Sequence, residues 1–328
     1  MRQLLVTLLL LFLPTQAVLA DSFPVRITHQ FGETEIPAQP RRIVSVGYHE
    51  QDFLYALGLA PVGVHEWFGG FPFATWPWAG KARRALSAEP DVQHGFEIDI
   101  EWVLARDPDL IVATFAPLDA RTYALLSQIA PVVGPPKGYP AWGAPWEAEL
   151  RLIGAAAGRG DAAERVIARL DRRLAGLAKA HPQLSGLSGT AAHFSGGQIV
   201  GYRSSDGANR LLARLGVETP AEFENLAGPG GNFSVSPERL DIFDLDVVLW
   251  LTDVPSRDRI EAFPGYNALR ITREGRSVWA GRLLMGAMSF QSPLSIDWAL
   301  DRLVPALQAA ADGDPATQVP QAEAAPGG

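Results

Sequence analysis

A long amphipathic segment at 158–182 divides the chain into two halves. In GRGDAAERVIARLDRRLAGLAKAHP, a charged face lies opposite an apolar stripe at the spacing of an α-helix. Asp161 is a residue type that caps helices, and Pro182 ends the run. The stripe comprises Ala163, Val166, Ile167, Leu170, Leu174, Leu177 and Ala178. The sequence therefore predicts one long, stiff helix between two bodies, which permits only a small opening motion.

Short apolar runs alternate with helical patterns on both sides of this segment. In the first half the runs are RRIVSVG (41–47), PVGVHE (61–66), DPDLIVATF (107–115) and APVVGPP (130–136). In the second half they are TAAHFSG (190–196), DVVLWLTD (246–253) and SVWAG (277–281). Because strands that alternate with helices indicate parallel sheets, the predicted fold class is α/β. We expect two Rossmann-like lobes with central, mainly parallel sheets, joined by a single long α-helix.

These patterns give the expected domain boundaries. Residues 21–157 form the N-terminal lobe, which opens with a β-hairpin at 23–37 around a glycine. The connecting helix at 158–182 follows, and then the C-terminal lobe at 183–312. The remaining stretch, 313–328, has the Pro, Ala and Gly bias of a disordered tail.

Residues 1–20 have the pattern of a secretory signal peptide. A positive residue precedes an apolar run at 4–13, and small or apolar residues at Val18 and Ala20 precede a cleavage point ahead of Asp21. The apolar run is shorter than the roughly 20 residues that span a bilayer as a helix. We therefore expect export through a cleaved signal peptide. The chain has 0 cysteines, so we also expect no lipid anchor attached through cysteine.

Composition excludes several classes of function. A net charge of -8 and an isoelectric point of 5.3 argue against a nucleic-acid partner, which requires a basic face. The lack of cysteine removes disulfides, thiolate metal sites and cysteine nucleophiles. With 47% hydrophobic residues, the chain can instead be stabilised by a packed core.

The motifs of common enzymes are missing from the sequence. There is no G-x-S-x-G elbow, no G-x-x-x-x-G-K-[ST] phosphate loop and no H-E-x-x-H. The 6 histidines have no ligand spacing; His49 and His65 lie near strand ends, where a hydrogen-bonded loop histidine is more common than a metal ligand. Carboxylates are plentiful, so an acid–base pair stays open. We expect a binding protein with no catalytic residue, no metal site and no cofactor.

Two aromatic groups follow predicted strands. The first lies in EWFGGFPFATWPWAGKARR (66–84), which has neither helical nor alternating periodicity, and the second includes Tyr139, Trp142 and Trp146. Open α/β sheets bind ligands at the carboxyl ends of their strands, where these groups fall. We expect about half of the rings to pack in the lobe's own core. Trp67 and one of Trp76 or Trp78 are the strongest ligand candidates.

Arginines near these aromatics complete the predicted ligand site. A guanidinium group offers a planar fork to chelating oxygens and stacks on rings. Arg83 and Arg84 follow the first aromatic cluster, and Tyr202 and Arg203 follow a strand-like run in the second half. The full predicted ligand-binding set is Tyr48, Trp67, Trp76, Trp78, Arg83, Arg84, Trp142, Tyr202, Arg203 and Phe290.

The chain resembles the periplasmic iron–siderophore-binding proteins of ABC importers, which belong to the helix-linked class of substrate-binding proteins. The resemblance rests on IPAQPRRIVSVGYHEQDFLYALGLAPVGV (36–64), IEWVLARDPDLIV (100–112), FSVSPERLDIFDLDVVLW (233–250) and SFQSPLSIDWALDRLVP (289–305). It implies a monomeric periplasmic protein that carries a ferric siderophore between two lobes to an inner-membrane ABC permease dimer.

The same resemblance assigns two glutamates to permease docking. In that family one acidic residue on each lobe contacts arginines of the permease, and the matching positions are Glu101 and Glu238, the latter in VSPERL. The stretch LSAEP (86–90) departs from the hydroxamate-binding pattern, with Ser87 near the place of an arginine. The chelate class therefore stays open: the arginines and Lys137 suit an anionic catecholate or carboxylate, whereas the tryptophans suit a neutral hydroxamate.

Two other functions are compatible with the sequence. A carrier of the same fold can take cobalamin or haem, and haem favours an axial Tyr or His, for which the candidates are Tyr48, His49, Tyr202 and His193. The third alternative is an extracytoplasmic hydrolase, which would need a nucleophile or a metal that the sequence does not reveal.

Overall fold

The structure is a computed structural model that describes residues 23–228 and 231–320. The described part begins with a β-hairpin. Strand β1 (Val25–His29) pairs antiparallel with β2 (Gly32–Ile36). Gly32 has φ +120°, a backbone conformation that favours glycine, directly after the two-residue turn. The hairpin lies where the sequence predicted it.

The N-terminal lobe is built on a five-stranded sheet in which every strand pair is parallel. The strand order is β5-β4-β3-β6-β7. Short runs of apolar and β-branched residues form the central strands, which are buried because helices cover both faces. The strands are β3 (Ile43–Ser45), β4 (Gly63–His65), β5 (Asp91–Gln93), β6 (Leu110–Val112) and β7 (Val132–Val133).

Five α-helices connect and follow these strands. The side chains of Asp99 and Asp119 accept backbone N–H groups at the starts of the third and fourth helices, as aspartate commonly does at an N-cap. The helices are α1 (Glu50–Ala56), α2 (Pro77–Ala85), α3 (Ile100–Leu104), α4 (Ala120–Leu126) and α5 (Trp146–Ala156).

Helix α6 (Gly160–Ala180) joins the two lobes, and its 21 residues lie within the predicted segment. Its buried face consists of apolar residues from the predicted stripe: Ala163, Ile167, Leu170 and Leu174. The predicted cap at Asp161 is wrong, because the residue before the helix is Arg159 and Asp161 lies in the first turn. A carboxylate there still interacts favourably with the helix dipole.

The C-terminal lobe contains a six-stranded, mixed sheet. Its order is β11-β9-β8-β12-β13, with β10 also paired to β8. The pairs β8–β10, β8–β12 and β12–β13 are parallel, and only the ribbon of β8, β9 and β11 is antiparallel. The strands are β8 (Leu187–Ser195), β9 (Gln198–Tyr202), β10 (Val217–Glu218), β11 (Asn232–Val235), β12 (Val247–Trp250) and β13 (Ser277–Trp279). The predicted α/β class with mainly parallel sheets is confirmed.

The helices of this lobe are α7 (Gly207–Arg214), α8 (Glu222–Leu226), α9 (Val254–Glu261), α10 (Arg270–Arg273), α11 (Gly281–Phe290) and α12 (Pro293–Ala311). Helix α12 packs against α1, α2 and α6, so it belongs to the contact between the lobes. Arg169 on α6 forms an ion pair with Asp297 on α12 at 2.7 Å, which fixes the connecting helix to the second lobe.

The start of the predicted tail is packed against the protein. Val319 lies against the main apolar core, and the Thr317 hydroxyl donates to Asp312 Oδ2 at 2.6 Å. This packing of residues 313–320 differs from the expected disorder, because an apolar side chain and a local turn give the segment contacts of its own. The predicted signal peptide at 1–20 and residues 321–328 lie outside the described residues.

Candidate functional site

A cleft of about 830 Å³ lies between the two lobes. On the N-terminal side, the loop after each of the five parallel strands contributes an aromatic ring to its wall. This is the edge of an open α/β sheet at which ligands bind. The five rings, in chain order, belong to Tyr48, Trp67, Phe96, Phe115 and Trp142.

Three of these rings form a stack with Tyr48 in the middle. The Tyr48 ring lies 5.7 Å from Trp67 and 5.8 Å from Trp142, at interplanar angles of 14° and 8°. The Tyr48 hydroxyl donates to the carbonyl oxygen of Phe96 at 2.7 Å, which fixes the ring. Burial and the nearby charges of Glu97 and Glu50 raise the pKa of Tyr48 to about 12, so the phenol stays neutral.

Trp142 is the most accessible member of the stack, with 47% of its surface exposed. It has φ +61°, so the loop holds it in a left-handed conformation that is costly for a large side chain. Arg210, on α7 of the other lobe, donates to the carbonyl oxygens of Gly143 and Ala144, each at 3.2 Å. The loop that carries Trp142 therefore contacts both lobes.

The C-terminal wall of the cleft includes Tyr202 and Arg203 at the end of β9. Buried Asn209 holds this strand end, since its amide donates to the carbonyl oxygens of both residues at 3.1 Å. Burial raises the pKa of Tyr202 and lowers that of His193. The Tyr202 hydroxyl therefore donates to Nδ1 of a neutral His193, at 2.6 Å.

The floor of the cleft holds a buried ionic cluster. His49 Nδ1 lies 2.6 Å from the carbonyl oxygen of Phe290, and Nε2 lies 2.9 Å from Glu149 Oε2. Both partners are acceptors, so both ring nitrogens must donate and the imidazole is positively charged. Burial alone would lower the pKa of His49, but the charges of Glu149 and Glu50 and the hydrogen bonds to Glu149 and Phe290 raise it to about 9.

Glu50 and Thr114 complete this cluster. Glu50 Oε1 accepts the Phe115 N–H at 2.8 Å, and the Thr114 hydroxyl lies 2.9 Å from Glu149 Oε2. Burial raises the pKa of Glu50 to about 7, although the positive charge of His49 opposes the shift. The cluster joins the first lobe to the Phe290 carbonyl of the second, and every side-chain contact that it makes is internal.

The structure brings six of the predicted ligand residues to the cleft wall: Tyr48, Trp67, Trp142, Tyr202, Arg203 and Phe290. Trp76 and Trp78 instead lie in a buried seam behind it, 1% and 8% exposed. The chain turns back through a 3-10 turn at Pro72–Ala74, so both rings face α12 and α11 rather than the cleft. Their rings stack on each other at 4.8 Å, and Trp78 Nε1 donates to Asp52 Oδ2 at 2.6 Å.

Arg83 and Arg84 also lie away from the cleft lining. Both belong to the last turn of α2. Arg83 donates to the carbonyl oxygen of Ala88 at 2.6 Å, and its guanidinium stacks over Phe73 at 4.4 Å. These local contacts hold Arg83 at the end of α2, and Arg84 is likewise not part of the cleft lining.

Sequence reasoning did not select several residues of the cleft, namely Phe96, Phe115, Glu149 and Arg210. For Phe96 and Phe115 a signal existed, because each follows a strand directly and occupies the same edge as Trp67. Nothing in the sequence paired Glu149 with His49, which is 100 residues away, or Arg210 with the loop at 143–144.

The two predicted docking glutamates are exposed, one on each lobe. Glu101 lies in the first turn of α3, and Glu238 in the first turn of the 3-10 helix Pro237–Phe243. A hydrogen bond from the Ser236 side chain and one from its own backbone N–H lower the pKa of Glu238, so it is negatively charged at neutral pH.

The predicted haem ligands are largely engaged in internal hydrogen bonds. The Tyr48 hydroxyl, both nitrogens of His49, and the Tyr202 hydroxyl with Nδ1 of His193 all have partners. Across residues 23–228 and 231–320, no group of three or more His, Cys, Asp or Glu side chains could hold a metal ion. Within the same residues, no helix has the length and apolar character needed to cross a membrane.

Comparisons with known proteins agree with this architecture. A sequence model of the periplasmic binding protein family matches residues 43–278. The probable siderophore-binding lipoprotein YfiY of Bacillus subtilis is 26% identical over 232 residues, which are 69% of this chain and 68% of YfiY. A periplasmic solute binding protein of Mycobacterium smegmatis is 35% identical, with a TM-score of 0.78 over 86% of this chain and 97% of that one.

A solved structure with lower identity has the same fold. PiaA of Streptococcus pneumoniae, in complex with ferrichrome, is 20% identical, with a TM-score of 0.76 over 88% of this chain and 99% of PiaA. The family and these relatives are extracytoplasmic substrate-binding proteins, which confirms the prediction that the chain is not an enzyme. The chain belongs to the periplasmic binding protein family.

Proposed function

We propose that this protein captures a ferric siderophore in the cleft between its lobes and delivers it to the permease of an ABC importer. The observation that carries the proposal is the wall of the cleft, where an aromatic ring follows every strand of one lobe and two arginines lie on the other. A siderophore complex is bulky, with an apolar outer surface and chelating oxygens, and both features find partners here. The proposal is supported by YfiY, named as siderophore-binding, and by PiaA, solved with ferrichrome.

The accessible rings supply the affinity. An aromatic side chain offers about 150–250 Å² for burial, and 47% of the Trp142 surface is exposed. At about 25 cal/mol/Å², covering that exposed part contributes roughly 2–3 kcal/mol. Together with the exposed faces of Phe96 and Tyr139 on the same wall, this burial would provide most of a micromolar affinity, which corresponds to about 8 kcal/mol.

Delivery rests on Glu101 and Glu238, which we propose contact arginines of the permease dimer. Exposed ion pairs add little to the strength of a complex, but they orient the partners and speed their encounter. Replacing both residues with Ala should abolish uptake in cells while siderophore affinity is unchanged. The matched control replaces exposed acids elsewhere on the two lobes, Glu33 and Glu222. Normal uptake by the Glu101/Glu238 variant would refute the docking assignment.

We propose that the protein acts as a monomer in the periplasm after removal of residues 1–20. The named relative YfiY is a lipoprotein, whereas this sequence has 0 cysteines for acylation. Size-exclusion chromatography with light scattering tests the monomer, and the mass of the chain from a periplasmic fraction tests the removal of residues 1–20 and the lack of lipid. A chain that begins at Asp21 without added lipid is expected, and a lipid-modified chain in the membrane fraction would contradict the proposal.

Tryptophan fluorescence tests the choice of ligand. Ferric hydroxamate, catecholate and carboxylate siderophores, haem and cobalamin are each titrated into the protein. We expect saturable quenching by at least one ferric siderophore, little by haem or cobalamin, and no chemical change in any of the ligands. Tight binding of haem or cobalamin alone would instead make the protein a carrier of that compound.

A further inference from the structure

The ionisable residues of the cleft wall are nearly all paired with one another or with backbone groups. His49 and Glu149 meet at 2.9 Å, and their charges cancel. Arg210 donates to two carbonyl oxygens of the facing loop, and Asp206 precedes it by one helical turn. These four residues therefore contribute no net charge to the cleft.

Arg203 is the remaining charged residue of the lining. One terminal nitrogen donates to the carbonyl oxygen of Gly228 at 2.5 Å. Its Nε is buried and, within the described parts of the chain, has no hydrogen-bond partner. This nitrogen is shielded, so a ligand oxygen reaches Arg203 through the part of its side chain that lines the cleft, where a charged donor binds oxygen strongly. Glu224 lies outside the cleft lining and accepts the Ser204 N–H at 2.7 Å; hydrogen bonds from Ser204, and to a lesser extent the charge of Arg203, lower its pKa.

The start of α7 does not provide a second place for negative charge. The side chain of Asp206 already accepts the Ala208 N–H at 2.9 Å, so a carboxylate occupies the end of the helix that would attract an anion. On the opposite wall, the rings after the five strands offer apolar faces without charge. A ligand with several negative charges would therefore keep most of them uncompensated.

We infer that the cleft selects a chelate that is neutral or carries a single negative charge and that directs an oxygen at Arg203, as a ferric hydroxamate does. A ferric tris-catecholate is triply negative, and only one of its charges would meet the cation of Arg203. The inference rests on the proposed function, since it names the class of siderophore for the same cleft. It also decides between the two chelate classes that the sequence leaves open.

The affinities of two ferric complexes that differ in net charge test this inference. The first is ferrichrome, a neutral ferric tris-hydroxamate, and the second is a ferric tris-catecholate. We expect ferrichrome to bind at least ~100-fold more tightly at physiological ionic strength, because unpaired charges are costly in an apolar cleft. Equal or tighter binding of the catecholate would overturn the inference and leave the proposed function standing. If neither of these two complexes binds, the inference fails, and the proposed function then depends on the remaining ferric siderophores of the fluorescence titration: it fails as well if none of them binds.

Substitution of Arg203 tests the assignment of the single cation. Arg203→Gln should weaken ferrichrome binding roughly 10- to 100-fold, the usual effect of losing a charged hydrogen bond. Arg203→Lys keeps the charge and should retain more of the affinity. The matched control is Arg165→Gln, at an exposed position on the connecting helix. Circular dichroism verifies folding, and unchanged ferrichrome affinity in a folded Arg203→Gln protein would overturn the role of Arg203.

Discussion

The cleft and the seam both lie between the lobes, and both are rich in aromatic rings, yet they differ in packing. In the seam, Trp76 is 1% exposed and its ring lies against Gly286 of α11, so closely that an added Cβ would come within 2.6 Å. In the cleft, Trp142 keeps 47% of its surface exposed. Phe290 touches both regions, since it lines the cleft and packs against Trp76 and Trp78.

This difference indicates that the aromatic rings of the two sequence segments have two separate roles. The rings of the seam have already buried their surface, so they stabilise the arrangement of the lobes and have little left to offer a ligand. In the cleft, Phe96, Tyr139 and Trp142 have exposed faces and can bury them against a bound molecule, whereas Tyr48 is buried and supports the stack. The seam, together with α6 and α12, makes the two lobes one rigid frame around the cleft.

The largest expected effect is a loss of stability when a ring of the seam, rather than one of the cleft, is truncated. Trp76→Ala should lower the free energy of unfolding by about 3–5 kcal/mol, because it leaves a large cavity in a fully packed seam. Trp142→Ala should lower it by less than about 1 kcal/mol, since half of that ring is already in solvent. Urea unfolding measures both. Equal losses in the two variants would mean that cleft and seam do not differ in the way described.

Trp142 should matter for ligand affinity, although it matters little for stability. Trp142→Ala is expected to weaken binding of a ferric siderophore by roughly 30- to 150-fold, equivalent to about 2–3 kcal/mol of lost burial. Leu125→Ala, which truncates a partly exposed side chain on α4 of the same lobe, is the control and should bind as the wild type does. Calorimetric titration gives both constants, and an unaffected Trp142→Ala protein would remove this ring from the site.

A pair of glycines probes the closeness of packing in the seam. Gly286→Ala places a methyl group 2.6 Å from the Trp76 ring and should destabilise the protein by about 1–3 kcal/mol. Gly176→Ala lies on α6 with no atom within 4 Å of the new carbon, and it should instead stabilise by about 0.5–1 kcal/mol. The midpoints of urea unfolding of the two variants measure these changes. If both substitutions stabilise the protein, the seam is not closely packed around Gly286.

A dependence on pH is expected from the ionic cluster between the two regions. The folded-state pKa of His49 is about 9, above the ordinary value of 6.5, so the folded protein holds this proton more tightly than the unfolded chain. Its contribution is therefore fully present below pH 6.5 and is lost as the pH rises through about 9. Between these two pH values, the free energy of unfolding should fall by at most about 1.4 kcal/mol per pH unit because of His49.

Urea denaturation at several pH values between 6.5 and 9 tests whether the contribution of His49 to stability decreases with pH. The difference in stability between the wild type and His49→Gln should shrink as the pH rises, and His94→Gln serves as a control for introducing glutamine at an exposed position. A difference that grows with pH would contradict a positively charged, buried His49.

The architecture could be predicted from the sequence because its signals are local. The stripe on α6 repeats at helical spacing, and each central strand is a short apolar run followed by a helix. The same reasoning selected Trp67 and Trp142, since aromatic residues after parallel strands lie at the ligand-binding edge.

The remaining features depend on contacts between distant parts of the chain. The aromatic segment at 66–84 has no periodicity, and only the 3-10 turn at Pro72–Ala74 and the approach of Gly286 decide that Trp76 enters the seam. Likewise, His49 acquires its charge from Glu149, which lies 100 residues away. No local pattern in the sequence records such a pairing.

Hydrogen–deuterium exchange with and without saturating ferrichrome tests the central claim most directly. The account predicts slower exchange in the loop at 138–146 and at 202–210, which border the cleft, and no change in α2 behind the seam. Protection confined to other surfaces under saturating conditions, with both of these segments unchanged, would contradict binding between the lobes.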